Sequence, residues 1–139
     1  MLPANVSEIV TRNHEAVVTT FRKNGAVQMS IVTVGPYSDG LAFTVSPGSA
    51  KLANFRRNQR CSLMVSELDW SGYAVLEGYA QLLSPGVTDP EELRLALREI
   101  YRAASGKEHP DWKEYDEAVR NDGRSLVIVV AEHVYSRTI

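Results

Sequence analysis

Apolar positions along the chain follow two rhythms, one of helices and one of strands, and the rhythm changes at turn-forming residues. In residues 3 to 12, Val6, Ile9 and Val10 recur at helical spacing and Asn13 is placed to stop them, which predicts a short opening helix. HEAVVTTFR is rich in β-branched residues, and VQMSIVTV alternates Val27, Met29 and Ile31 against Gln28, Ser30 and Val32. Asn24-Gly25 between them predicts strands at about 14 to 22 and 26 to 34, joined by a type I′ turn with positive φ at both central residues. GPYSDG (35 to 40) reads as a turn leading into a third strand, LAFTVS. From Ser49 as N-cap, SAKLANFRRN places Leu52 and Phe55 three apart among charges, a short amphipathic helix that Asn58 can close.

RCSLMVSELD and YAVLEGYAQLL read as two more strands joined through Trp70-Ser71-Gly72, with Gly78 marking a bulge or a close backbone approach. Asp89-Pro90-Glu91-Glu92 is a helix start: aspartate caps, proline at the first position loses no needed hydrogen bond, and glutamate at the third completes a capping box. Leu93, Leu97, Ile100, Tyr101 and Ala104 then form one stripe that Gly106 ends. A second helix opens at His109-Pro110-Asp111, carries Trp112, Tyr115, Ala118 and Val119 on one face and stops at Gly123. SLVIVVAEHV is the sixth strand. Six closely connected antiparallel strands with helices outside predict a mostly-β (α+β) fold, a six-stranded split β-barrel with flanking helices and few exposed sheet edges. No repeat or linker interrupts residues 1 to 139, which are expected to form a single domain.

Composition narrows the function classes. The 139 residues, 44% hydrophobic and 23% charged, suit one ordinary globular domain with a core that needs no disulfide or structural metal. Fifteen basic against seventeen acidic residues give a formal charge of −2, so there is no general positive field for nucleic acid or an anionic membrane. Any anion site must be local. Cys61 is the only cysteine, which excludes an intrachain disulfide, a CxxC pair and a multi-cysteine zinc site. The longest apolar run, Leu126 to Ala131, is six residues, against the roughly 20 that cross a bilayer. MLPANVSEIV has neither a basic nor an apolar leader region, so the expected location is the cytoplasm.

Candidate chemistry is sparse. His14, His109 and His133 lie far apart, and His14-Glu15 fails as HExxH because Val18 occupies the second ligand position. No GxSxG elbow occurs, and Cys61 at a strand start reads as a small core residue. TVSPGSAK (44 to 51) sets hydroxyls and free backbone N–H groups at a strand-to-helix junction, where Ser49 and Lys51 could cradle a phosphate. The same residues also fit a capped surface helix with solvated Lys51, Arg56 and Arg57. Trp70 and Tyr73 could stack on a planar ring or simply pack, while Trp112 and Tyr115 match their helix stripe and are expected in the core. Gln28, Ser30 and Thr44 could hydrogen-bond the edge of a heterocycle or face solvent.

Over roughly residues 10 to 136 the ordered set of segments resembles the pyridoxamine phosphate oxidase-like split-barrel superfamily, and within it the small coenzyme F420-dependent reductases. The pieces are HEAVVTTFRKNGAVQMSIV, LAFTVSPGSAKLANFRRNQRCSLMV, YAVLEGYAQLL and HPDWKEYDEAVRNDGRSLVIVVAEHVY. The resemblance implies a homodimer with its cofactor in a groove between subunits, and hydride transfer from reduced coenzyme F420 to an electron-poor double bond of a small organic substrate. It implies that Lys51, Ser49, Thr44 and Ser46 hold the cofactor phosphate, that Gln28, Met29, Ser30, Ile31 and Val32 line the tricyclic ring, and that the turn Trp70 to Ala74, with Tyr73, approaches from the partner. Asn54 is placed at this site or in a structural role. FMN is the alternative cofactor, and a non-catalytic carrier of a flavin, haem or lipophilic ligand the alternative function. Two positions depart from the family pattern: Val27 stands where many relatives carry proline, and Ala50 where a second basic residue often flanks the lysine. The tail HVYSRTI lacks the arginine-rich substrate motif of the true pyridoxamine phosphate oxidases.

Overall fold

A computed structural model of the chain describes residues 2–138. Helix α1 (Ala4–Arg12) precedes strands β1 (Glu15–Phe21), β2 (Val27–Thr33), β3 (Gly35–Tyr37) and β4 (Gly40–Val45). Then come α2 (Ala50–Arg57), β5 (Arg60–Ser66), β6 (Tyr73–Leu83), α3 (Pro90–Ser105), α4 (Trp112–Asn121) and β7 (Ser125–Arg137). All seven strands join one antiparallel sheet in the order β2-β1-β5-β6-β7-β4-β3. Its two edge strands, β2 and β3, are consecutive in the chain and separated by Val34 alone. The sheet therefore curls until its edges meet at one end, which leaves a mostly-β half-barrel.

The extra strand corrects the expectation of six. Gly35-Pro36-Tyr37 carries turn residues, yet it pairs with Gly40–Ala42 through a tight turn at Ser38-Asp39, with Ser38 at φ +51°. Proline is tolerated here because the strand is an edge and its missing N–H breaks no ladder. Gly35 lies directly beneath α3: a Cβ there would sit 2.7 Å from the Ala104 backbone nitrogen. The first hairpin also differs from its expected turn. Gly25 has φ +86° but Asn24 does not join it in the left-handed region. The Gly25 N–H donates to the Arg22 carbonyl, the Arg22 N–H donates to the Ala26 carbonyl, and Asn24 Oδ1 accepts from the Ala26 N–H. The result is a three-residue loop closed by a glycine bulge.

Two apolar clusters flank β4 and β7. Inside the curl, Leu41, Phe43 and Val45 of β4 and Val127 and Val129 of β7 meet Leu63, Val65 and Leu76, with α2 adding Leu52 and Phe55 and α1 adding Val6, Ile9 and Val10. On the opposite side Ala42, Leu126 and Ile128 pack against Leu93, Ala96, Leu97 and Ile100 of α3. Both faces of the start of β7 are thus covered, which explains a continuous apolar run where alternation would otherwise be required. Gly78 combines both expected roles. The register slips between Glu77 and Gly78, and a Cβ at Gly78 would lie 1.9 Å from the Val130 carbonyl oxygen.

Helix α4 departs from expectation because it packs on α3 rather than on the sheet, and none of its residues is fully buried. Trp112 and Tyr115 form a half-buried cluster with Tyr101 and His109, with ring centroids 5.1–5.7 Å apart, and Arg102 lies 4.5 Å from the Trp112 ring centre. Asp116 accepts from both Arg94 and Arg98 and the Tyr115 hydroxyl donates to the Leu97 carbonyl, so polar contacts complete the α3–α4 joint.

Candidate functional site

Strand β2 inverts the usual surface pattern. Gln28, Ser30 and Val32 point inward, while Val27, Met29 and Ile31 are 53%, 64% and 73% exposed. The five residues expected along a ring therefore divide between two faces, because successive side chains of a strand point opposite ways. Ile31 begins an apolar rank on the outer face that crosses five strands, through Val17, Met64 and Val75 to Tyr135. At its β2 end a small cleft of about 60 Å³ is lined by Ile31, Val17, Met64, Ser66 and Trp70, so two separately expected ring contacts come together.

Trp70 is 71% exposed and has φ +64°, a backbone region that a bulky L-residue rarely occupies. The turn imposes it. Glu67 accepts from the Trp70 N–H, the Glu67 N–H donates to Gly72, and Asp69 Oδ1 accepts from the Ser71 N–H and hydroxyl. Strand β5 consequently ends at Ser66, short of the expected Asp69, and Leu68 stands out into solvent. Of the remaining residues of this turn, Tyr73 is half-buried and Ala74 is wholly inside the core cluster.

The inner face of β2 meets α2 through one polar network. The Asn54 side-chain amide donates to Thr20 Oγ1 at 3.0 Å and to Gln28 Oε1 at 2.9 Å, and its Oδ1 accepts from Arg57, which also donates to the Phe21 carbonyl. Asn54 is 4% exposed and its amide is committed to the chain itself, so its role is to lock α2 onto the first hairpin.

Three residues from Asn54 along the same helix, the anion candidates are in a different state. Ser49 is the N-cap of α2 but makes no side-chain capping bond, whereas Asp89 and Asp111 cap α3 and α4 in the usual way. Ser49 closes the preceding turn with its backbone, its N–H donating to the Ser46 carbonyl at 3.1 Å. Among the described residues Lys51 forms no ion pair. Thr44, on the outer face of β4, accepts from Arg124 Nη1 at 3.2 Å. Arg124 went unrecognised in the sequence. Only the pairing of β4 with β7, which ends at Val45 opposite Ser125, brings it beside the Ser46 turn, where a Cβ at the neighbouring Gly123 would lie 3.5 Å from the Pro47 ring.

The other reactive side chains are committed elsewhere. Burial pushes the Cys61 thiol up to about 12, so it is not a nucleophile near neutrality. His14 Nδ1 lies 3.0 Å from the Val34 carbonyl, His109 is held in the aromatic cluster and His133 lies 4.0 Å from Glu77. No helix among the described residues is long and apolar enough to cross a membrane.

The chain thus combines a curled antiparallel sheet, an apolar rank on its outer face, and a helix start without a side-chain cap beside a lysine that forms no ion pair among the described residues. The family model for pyridoxamine 5'-phosphate oxidase matches residues 2–137, and the chain belongs to that family. Solved structures share the fold at low identity. A conserved hypothetical protein from Mycobacterium tuberculosis superposes with a TM-score of 0.80 at 20% identity, over 98% of this chain and 84% of the other. A FAD-binding protein from Mesorhizobium loti gives 0.68 at 19%, over 97% and 94%, and an F420 reductase gives 0.67 at 18%, over 96% and 98%.

Proposed function

We propose that the protein is an oxidoreductase that uses coenzyme F420, working as a homodimer whose subunits close together over the apolar outer face of the sheet. The observation that carries this reading is the outward-facing apolar rank headed by Ile31, exposed at Ile31 and Tyr135, with an exposed Trp70 at the cleft beside Ile31. An isolated chain gains nothing from displaying Val27, Met29, Ile31 and Trp70 together, whereas a planar ring sandwiched between two copies covers them. The residues suit such a group: Ser49, with its hydroxyl and the first N–H groups of α2 uncapped, and Lys51 are available to a phosphate, with Ser46 and Thr44 at the same end of β4. When bound, the coenzyme supplies a hydride from its central ring to an electron-poor double bond of a small organic substrate.

The chain's own part is positioning. Ile31, Val17 and Met64 provide a dry floor, Trp70 limits access from the side, and the Asn54 network holds β2 rigid against α2 so that floor and phosphate end keep their spacing. No side chain needs to move a proton at the floor, which agrees with its lack of titratable groups other than Glu15 at the rim.

Titrating purified protein with coenzyme F420 and with FMN, followed by absorbance and fluorescence, tests the reading. Saturable coenzyme F420 binding that Lys51→Ala weakens about tenfold is expected, the scale of one lost charge-assisted contact. Tight FMN binding with no deazaflavin binding overturns the choice of cofactor, and unaltered binding in Lys51→Ala overturns the anchor.

A further inference from the structure

The wall formed by α3 and α4 leaves a second cavity, of about 380 Å³, over the outer face of β4. Thr33, Thr44, Tyr101, Tyr115, Val119 and Arg124 are among its lining residues, and Arg124 is the one charged group in that lining. Thr33 ends β2 and Thr44 lies on β4, so the cavity lies beside the end at which the edges of the curled sheet meet. We propose that this cavity holds an anionic oxygen group, a phosphate or carboxylate, of the protein's ligand, and that Arg124 is its counter-ion.

Charge accounting carries the argument. The arginines of α3 are all matched: Arg94 with Glu91 and Asp116, Arg98 with Asp116, and Arg102 with Glu108. Arg124 forms no ion pair among the described residues although it is half-buried, and its guanidinium donates to a neutral hydroxyl, Thr44 Oγ1. The carboxylate on the adjoining wall, Asp116, is already engaged by two guanidiniums. A half-buried guanidinium without a carboxylate partner presents a planar fork suited to phosphate or carboxylate oxygens. The remaining lining fits an anion tethered to a planar or apolar body. The Tyr115 hydroxyl donates to the Leu97 carbonyl and the Ser105 hydroxyl to the Tyr101 carbonyl, so among the described residues the lining hydroxyls that donate to no protein group are those of Thr33, Thr44 and Tyr101.

The source of the anion rests on the proposed oxidoreductase reading; the site itself does not. FMN and riboflavin share a ring and differ by a phosphate, so titrating both into wild-type and Arg124→Gln protein, alongside inorganic phosphate and benzoate, separates the sources. About a tenfold loss of FMN affinity with riboflavin unchanged supports the site as a holder of the cofactor phosphate. Unchanged FMN with lost phosphate or benzoate binding supports it as a holder of a separate ligand's anion. If neither coenzyme F420 nor FMN binds but phosphate or benzoate binds through Arg124, the site stands and the oxidoreductase reading falls. Should Arg124→Gln not fold, Arg124→Lys and the double variant Thr33→Val, Thr44→Val replace it, each expected to weaken anion binding severalfold. Wild-type affinities in these variants, or no anion bound by the wild type, overturn the proposal.

Discussion

Trp70 shows how a single residue can be held against its own preference. Left-handed backbone at a bulky residue costs roughly 1–2 kcal/mol, while glycine there adds unfolded-state freedom worth roughly 0.4–1 kcal/mol. Trp70→Gly should therefore stabilise the chain by about 0.5–1 kcal/mol on denaturant titration, since little buried area is lost from a side chain 71% exposed. The same variant should bind coenzyme more weakly; unaltered binding would leave the strained tryptophan without a task. Cys61 and Tyr115 make a second residue-scale expectation. Burial raises both to about 12, so the folded state keeps protons that the unfolded chain releases from about pH 9 for the thiol and pH 10 for the phenol. Stability from these groups is complete below those values and falls as pH rises toward 12. Urea midpoints measured between pH 8 and 11 should decline, and more gently in Cys61→Ala once its altered starting stability is subtracted. Arg124 belongs at this scale as well. A lone arginine after a glycine has no local signature, and only the β4–β7 pairing lends it meaning.

At the scale of elements, most boundaries were legible where local chemistry and tertiary packing agree. The Asp89 cap, the αL Gly106 and the stripes of α1 and α3 stand where the spacing puts them, and α4 opens after Asp111, which caps it. The misses share a cause, which is context beyond the segment. Gly35-Pro36-Tyr37 looks like a turn until an edge position and the close approach of α3 make it a strand. Trp112 and Tyr115 look like core until α4 proves to lie on α3 outside the sheet. Alternation in VQMSIVTV correctly marked a strand, but nothing local says that its apolar side faces outward; that follows from β2 sharing the curl's interior with α2. Gly78 was marked correctly as a special position, and its test is direct. Gly78→Ala would force a methyl against the Val130 carbonyl, so the β6–β7 bulge must shift. A loss on the order of 3 kcal/mol is expected in thermal or denaturant unfolding, and a loss below 0.5 kcal/mol would show that the bulge relaxes freely.

For the whole molecule the decisive feature is the apolar rank from Ile31 to Tyr135 across the outside of five strands. It lies on the face opposite the main core, so the fold itself does not require it. Ile31→Glu places a charge at the β2 end of that rank, on a side chain already 73% exposed, and should leave monomer stability within about 0.5 kcal/mol while shifting sedimentation from the proposed dimer toward monomer. A wild type that sediments as a monomer at all concentrations would remove the proposed groove. Of the proposed cofactor site, Ser49 and Lys51 carry local signals, whereas a groove built by two copies, as proposed, leaves no spacing within one chain to read.

The most direct measurement is the oxidation of reduced coenzyme F420 by the wild-type protein with a panel of small enones, followed by recovery of the oxidised coenzyme's absorbance. Enzyme-dependent, saturable oxidation that falls away in both Lys51→Ala and Ile31→Glu is the predicted result. No binding or oxidation of the deazaflavin, with tight binding of FMN in its place, would contradict the account.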